Sequence, residues 1–184
     1  MHRPARLTID LTVVSDLVDA TRERHGLAKT LFERLQRGAI ELAIAPQGHR
    51  KDASGDLARR LRSLIAGGTL LELPQLAYVS EVTFPSQDLV PGHYDEAMAA
   101  AWDRVVATWR THERKPPGLA DRFHLETHCI AHRDVFITDD RALLTMCERL
   151  RREHDVGIDA SDLATYLGRP RQATTAGAPA DGRQ

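Results

Sequence analysis

The stretch VFITDDRALL, residues 135 to 144, runs from an apolar β-type segment into two adjacent carboxylates and then into a helical pattern. One acid there could cap a helix; a second cap would be redundant, which leaves either Asp139 or Asp140 available for other work. Two more acids stand at comparable places: Asp10 directly follows the apolar LTI, and Asp121 lies near the start of the helical stretch that feeds VFIT. Carboxylates brought within a few ångström repel and raise one another's pKa, and a cation among them relieves that repulsion. Hard divalent ions such as Mg²⁺ or Mn²⁺ suit carboxylate and water ligands. Singly, each acid also reads as a cap or as a first-turn acid favoured by the helix macrodipole, so it is the combination that points to a metal-holding cluster.

Short β-type runs that alternate with longer helical stretches would position these acids. ARLTIDL reads as a strand, VVSDLVDATRERHGLAKTLFERLQRG as one or two helices stopped at Gly38, and IELAIAP as a second strand. DLARRLRSLIAGG places Leu57, Leu61, Leu64 and Ile65 on one helical face, with Gly67 and Gly68 ending the helix before a third strand, TLLEL. YVSEVTF alternates like an edge strand, PSQDLVPG is rich in turn residues, and YDEAMAAAWDRVVATWRTHER is helical with Trp102, Val105, Val106 and Trp109 as its apolar face; residues 76–117 together read as an insertion or lid. LADRFHLETHCIAHR is a helix, VFIT a strand, DRALLTMCERLRREH a helix, and VGIDASDLATYL a last strand and short helix. Strands and helices in this alternation imply a mostly parallel sheet covered on both faces, within one domain over residues 1–168. The remainder, 169–184, has no apolar period and reads as a disordered tail. In such a sheet, ligands bind at the carboxyl ends of the strands, where Asp10, Asp139 and Asp140 fall.

The composition narrows the classes of function. With 184 residues, 42% hydrophobic and 28% charged, the chain suits one soluble globular domain, and a formal charge of -1 gives no global basic field, so any polyanion must be held locally. ARRLR at 58–62 and ERLRRE at 148–153 offer local positive stripes, and both also read as solvated helix faces. The two cysteines, Cys129 and Cys147, suggest no disulfide framework and no zinc pattern, which fits a reducing cytoplasm. MHRPARLTIDLTVV has no signal-peptide core, and no run of about 18 apolar residues occurs, so neither secretion by that route nor a membrane span is expected.

IDLTVVSDLVD near the start and DRFHLETHCIAHRDVFITDDRALL downstream resemble the PIN domain, whose pattern is an acid ending strand one, D-x-x-H-L on a helix, and an apolar strand closing in T-x-D. The matching residues are Asp10, the stretch Asp121 to Leu125, and Thr138 to Asp140, and the resemblance covers roughly 5–75 and 118–167. It implies a three-layer α/β/α fold and a metal-dependent ribonuclease in which Asp10, Asp121 and Asp140 hold Mg²⁺ or Mn²⁺. T-x-D assigns the metal-facing role to Asp140, leaving Asp139 free to cap or to serve as an auxiliary acid; Thr138 and His124 would support the site from behind. Similar proteins carry another acid, most often Glu, early in the helix after strand two. APQGHRKDASGDLARRL has none, and Asp52 is nearest the expected place, with Asp56 one turn later.

HLETH is not the zinc-protease motif, because Glu126 stands two places after His124 and so points about 200° away around the helix. His124, His128 and His132 share one stripe, yet the outer two are about 12 Å apart, too far for one zinc, and the stripe reads as a wet or half-buried face. The expected partners are an RNA substrate, the antitoxin of a VapC-type toxin and antitoxin pair, and a second copy in a homodimer, with none at a membrane. The rival expectation is a PIN-fold module that binds RNA or protein without cleaving.

Overall fold

The computed structural model describes residues 3–45, 55–74, 96–109 and 115–168. Asp52, the YVSEVTF and PSQDLVPG stretches and the 169–184 tail lie outside the described residues. In chain order the elements are β1 (Ala5–Ile9), α1 (Leu11–Val18), α2 (His25–Gln36), β2 (Ile40–Ile44), α3 (Gly55–Ala66), β3 (Leu71–Glu72), α4 (Glu96–Ala107), α5 (Leu119–Ile130), β4 (Val135–Ile137), α6 (Arg141–His154), β5 (Ala160–Ser161) and α7 (Leu163–Gly168). The strands form one sheet in the order β3-β2-β1-β4-β5, and all four pairings are parallel. Both edge strands have two residues each, which leaves little free edge for another chain to pair with.

Alternation along the strands divides the core in two. On one side Leu7, Ile9, Leu42, Ile44 and Ile137 pack with Val13 and Val14 of α1, Leu31 of α2, Leu61 of α3 and Leu163 of α7. On the other, Phe136 packs with Met98, Trp102 and Val105 of α4, Leu125 of α5, and Leu143, Met146 and Leu150 of α6. Helices therefore cover both faces, and the fold is a three-layer α/β/α sandwich, as the alternation of elements led us to expect. Period two in the strands and period 3.6 in the helices produce this directly, each apolar face finding one of only two places to bury. Gly38, at φ +67°, adopts the left-handed conformation that ends α2 and turns the chain into β2. Among the described residues no helix is long and apolar enough to cross a membrane.

The helical part of the segment read as an insertion or lid is built into the core. Met98, Ala101, Trp102 and Val105 of α4 are all buried against α6 and the sheet. A lid would leave stability almost unchanged when trimmed. Trp102→Ala is instead expected to lower unfolding free energy by about 3–5 kcal/mol, the usual range for emptying a buried aromatic site, as read from urea unfolding by circular dichroism.

Candidate active site

Asp10, Thr138 and Asp140 meet at the carboxyl edge of the two central strands. Asp10 is the N-cap of α1: Leu11 N–H donates to its Oδ1 at 2.6 Å, and its Oδ2 accepts from Thr138 Oγ1 at 2.9 Å and Thr12 Oγ1 at 3.3 Å. Asp140 is the N-cap of α6, its Oδ1 accepting from Ala142 N at 2.7 Å and Leu143 N at 3.2 Å. The buried Thr138 hydroxyl joins the two, donating to Asp10 and accepting the Asp140 N–H at 3.1 Å. Asp121 arrives from α5, in whose first turn its Oδ2 accepts Gly118 N–H at 2.7 Å. Burial raises the Asp121 pKa above the ordinary carboxylate value; the Gly118 N–H and His124 pull it down, and the charges of Asp140 and Asp10 push it up. Three acids from three helix starts are thus within electrostatic reach of one another. Among the described residues none of the three pairs with a lysine or arginine.

The placement of α5 depends on histidines that the sequence misjudged. His124 and His128 are buried and only His132, beyond the helix end, is exposed, so the stripe faces the sheet and is not wet or half-buried. His124 lines a narrow crevice with Asp10, Ile44 and Phe136. A 2.9 Å hydrogen bond joins His128 Nδ1 to Thr8 Oγ1 on β1, and the imidazole stands edge-on to Phe136 with ring centroids 5.6 Å apart. This strut fixes α5 against β1 about two turns from Asp121, and Asp10 lies two residues along the strand from Thr8. The available signal was Thr8 itself, a polar residue on the strand face that packs against this helix. Glu126, dismissed as a zinc-motif residue, is buried and accepts from Arg122 Nε at 2.8 Å.

Asp139 neither caps α6 nor joins these acids, which corrects the division of roles expected for the T-x-D turn. Its side chain, 7% exposed, lies on the opposite face, where Arg24 Nη1 approaches Oδ2 at 3.0 Å. That contact is an ion pair without hydrogen-bond alignment, since Oδ2 accepts no hydrogen bond. Burial raises the Asp139 pKa, Arg24 and the Leu163 N–H oppose the rise, and Asp16 and Asp162 add to it. Asp140 does both jobs that the sequence reading had shared out, capping through Oδ1 while standing on the Asp10 side. Asp56 is exposed in the first turn of α3 and pairs with Arg59 at 3.1 Å. Asp16 and Arg22, which form a further ion pair behind Asp139, escaped the sequence reading; the signal was an acid on the apolar face of α1 followed by TRER.

The donors are all carboxylate oxygens of the kind that hard divalent cations take. Among the described residues, no three His, Cys, Asp or Glu side chains stand together as a ready ligand set. Both oxygens of Asp10 and one oxygen each of Asp121 and Asp140 accept from backbone N–H groups or hydroxyls. No family model matches this chain, and a comparison with curated proteins finds no match.

Burial, with the Arg133 charge adding to it, lowers the His128 pKa from 6.5 to about 4, so the folded protein keeps this ring neutral where the unfolded chain would protonate it. The unfolded state therefore binds the extra proton between pH 6.5 and about 4, and the contribution is complete above 6.5 and lost as pH falls through that window. His128→Gln is expected to be less stable at pH 7 and to lose less further stability on acidification to pH 4.5 than the parent chain. Urea unfolding at the two pH values checks this, and equal losses in both proteins would contradict it.

Proposed function

We propose that this chain is a metal-dependent ribonuclease in which Asp10, Asp121 and Asp140 hold Mg²⁺ or Mn²⁺ at the carboxyl edge of the sheet. The observation that carries the reading is that Asp10, Asp121 and Asp140 reach one edge from three helix starts, with no lysine or arginine paired to any of the three among the described residues. Like charges gathered without a counter-ion are what a cation site looks like before the cation arrives. A bound ion would supply a water of lowered pKa and a positive charge beside the scissile phosphate.

The chain's own residues have separate tasks in this reading. Thr138 keeps the Asp10 and Asp140 turns in register by bonding to both. His128 and Thr8 set the height of α5, and with it Asp121. The N-termini of α1, α5 and α6 bring partial positive charge to the same edge, which suits a phosphodiester. Of the two positive stripes, α3 offers the better polyanion surface. Arg59, Arg60 and Arg62 are exposed there against one acid, Asp56, while on α6 Arg149 and Arg152 are engaged by Glu148 and Glu153. RNA as the particular polyanion, and a toxin restrained by an antitoxin protein, follow from the PIN resemblance. Cys129 and Cys147 stand as thiols and not as a disulfide, which suits a cytoplasmic setting.

Two observations favour the second reading, a binding module that does not cleave: no three-ligand group is preassembled among the described residues, and the helix after β2 brings no Glu. Cleavage of mixed RNA with Mn²⁺ or Mg²⁺ present and absent separates the two. Asp10→Asn, Asp121→Asn and Asp140→Asn are each expected to abolish it. Mn²⁺ should also raise the melting temperature of the intact chain, by relieving repulsion and by binding only the folded state. In the chelated protein Asp121→Asn should be neutral or stabilising. Asp140→Ala, which removes an α6 cap, should cost about 1 kcal/mol, while Asp140→Asn keeps the cap. A melting curve that Mn²⁺ does not shift, together with RNA binding that persists without cleavage, would favour the binding module.

A further inference from the structure

Asp139 and Asp140 share a peptide bond and face opposite ways, so whatever holds one bears on the other. On the Asp139 side, Arg24 Nη1 lies 3.0 Å from its Oδ2, with Arg24 about half exposed. Behind it the buried Asp16 pairs with Arg22, and the His25 ring meets the Asp16 carbonyl at 3.0 Å. Asp162 caps α7 through Thr165 N–H at 2.8 Å. Three acids on this face are met by two arginines from the turn between α1 and α2, whereas Asp10, Asp121 and Asp140 are met by none among the described residues.

We propose that Arg24 is a positioning residue for the candidate site: by pairing with Asp139 it draws the Thr138–Asp140 turn toward α2 and so holds Asp140 where it caps α6 and stands beside Asp10. The inference rests on reading Asp10, Asp121 and Asp140 as the functional site. Its physical basis is that an enclosed carboxylate without a counter-charge must take up a proton or reach water, and in neutral solution water is the nearer recourse. Asp139 reaches water by rotation of its turn, which the Leu163 N–H alone then opposes, and rotation carries Asp140 with it. The arginine thus acts on the site through a residue that does not belong to the site.

Amide hydrogen exchange of the full chain in chelator tests this without requiring any metal. In Arg24→Gln, the Ala142 and Leu143 amides, which donate to Asp140, should exchange about tenfold faster, while Leu150 in the middle of α6 should change by less than about twofold. Arg24→Lys keeps a charge and should stay near the parent chain. Asp139→Asn placed in the Arg24→Gln background should restore slow exchange, because it removes the charge that Arg24 answers. An Arg24→Gln chain too unstable to measure, returned to a folded one by Asp139→Asn, supports the same pairing. Unchanged exchange at Ala142 and Leu143, or equal acceleration along the whole of α6, would overturn the proposal. Failure of the parent chain to bind Mn²⁺ would count against the metal reading alone, since the exchange comparison is made in chelator.

Discussion

Four carboxylates at the carboxyl edge of this sheet are each bound to the start of a helix. In a parallel α/β sandwich the strands deliver the chain to helix N-termini, whose first N–H groups have no partner inside the helix. Asp10 meets that need for α1, Asp140 for α6 and Asp162 for α7, while Asp121 ties the first turn of α5 to Gly118. The fold's demand for caps thereby gathers negative charge at one edge, and the same positions serve stability and any cation chemistry at once. A substitution there cannot be read as purely structural or purely functional unless Asn, which caps without charge, is compared with Ala.

Strand alternation decides how the gathered charge is divided. Phe136, Thr138 and Asp140 continue one face of β4, and Ile137 and Asp139 the other. The neighbouring acids part accordingly, Asp140 toward Asp10 and Asp121, Asp139 toward Arg24 and α7. The same two-residue period sets Thr8 on the α5 side of β1, where its hydroxyl reaches His128. Geometry at the candidate site is therefore set by a line of polar contacts along one sheet face, Thr8 to His128 and Thr138 to Asp10. These contacts are buried, and there an unmatched polar group would cost about 1–3 kcal/mol. That cost favours one arrangement of α5 over its alternatives.

The elements were legible in the sequence because each one satisfies its local rule. Gly38 and Gly68 stop helices at left-handed positions, the strands are apolar runs of β-type residues, and α6 shows a clear apolar stripe. Asp10, Asp139 and Asp140 were legible as strand-end acids because a parallel sheet places strand ends together, and the PIN resemblance is what singled out Thr138 and Asp140. The roles of Asp139 and Asp140 were separable in principle by counting parity from Phe136, but parity has meaning only once it is known which face of β4 carries α5. His128 was misjudged for a related reason: a helix clasped between a sheet and a second helix is buried over most of its circumference. Polar residues on such a helix look like a solvent face until α4, taken for part of a lid, is seen packed against α6. The Arg24 to Asp139 pair joins residues far apart in sequence, and periodicity carries no trace of it.

The two groups of acids also differ in what counters their charge. Asp16 and Asp139 have arginines, a full counter-charge fixed in place by the turn between α1 and α2. Among the described residues Asp10, Asp121 and Asp140 have no arginine; they have the helix N-termini, each equivalent to about half a positive charge and already directed at its carboxylate, and Asp121 has His124 as well. Dipoles of that size lower the repulsion without abolishing it, and the remainder adds, behind burial, to the raised pKa of Asp121. An arginine at this edge would remove the remainder and would also occupy the place of any incoming cation. The acids paired with arginines are met by fixed charges of this chain, and those without such a pair rest on helix dipoles, neighbouring hydroxyls and, for Asp121, His124.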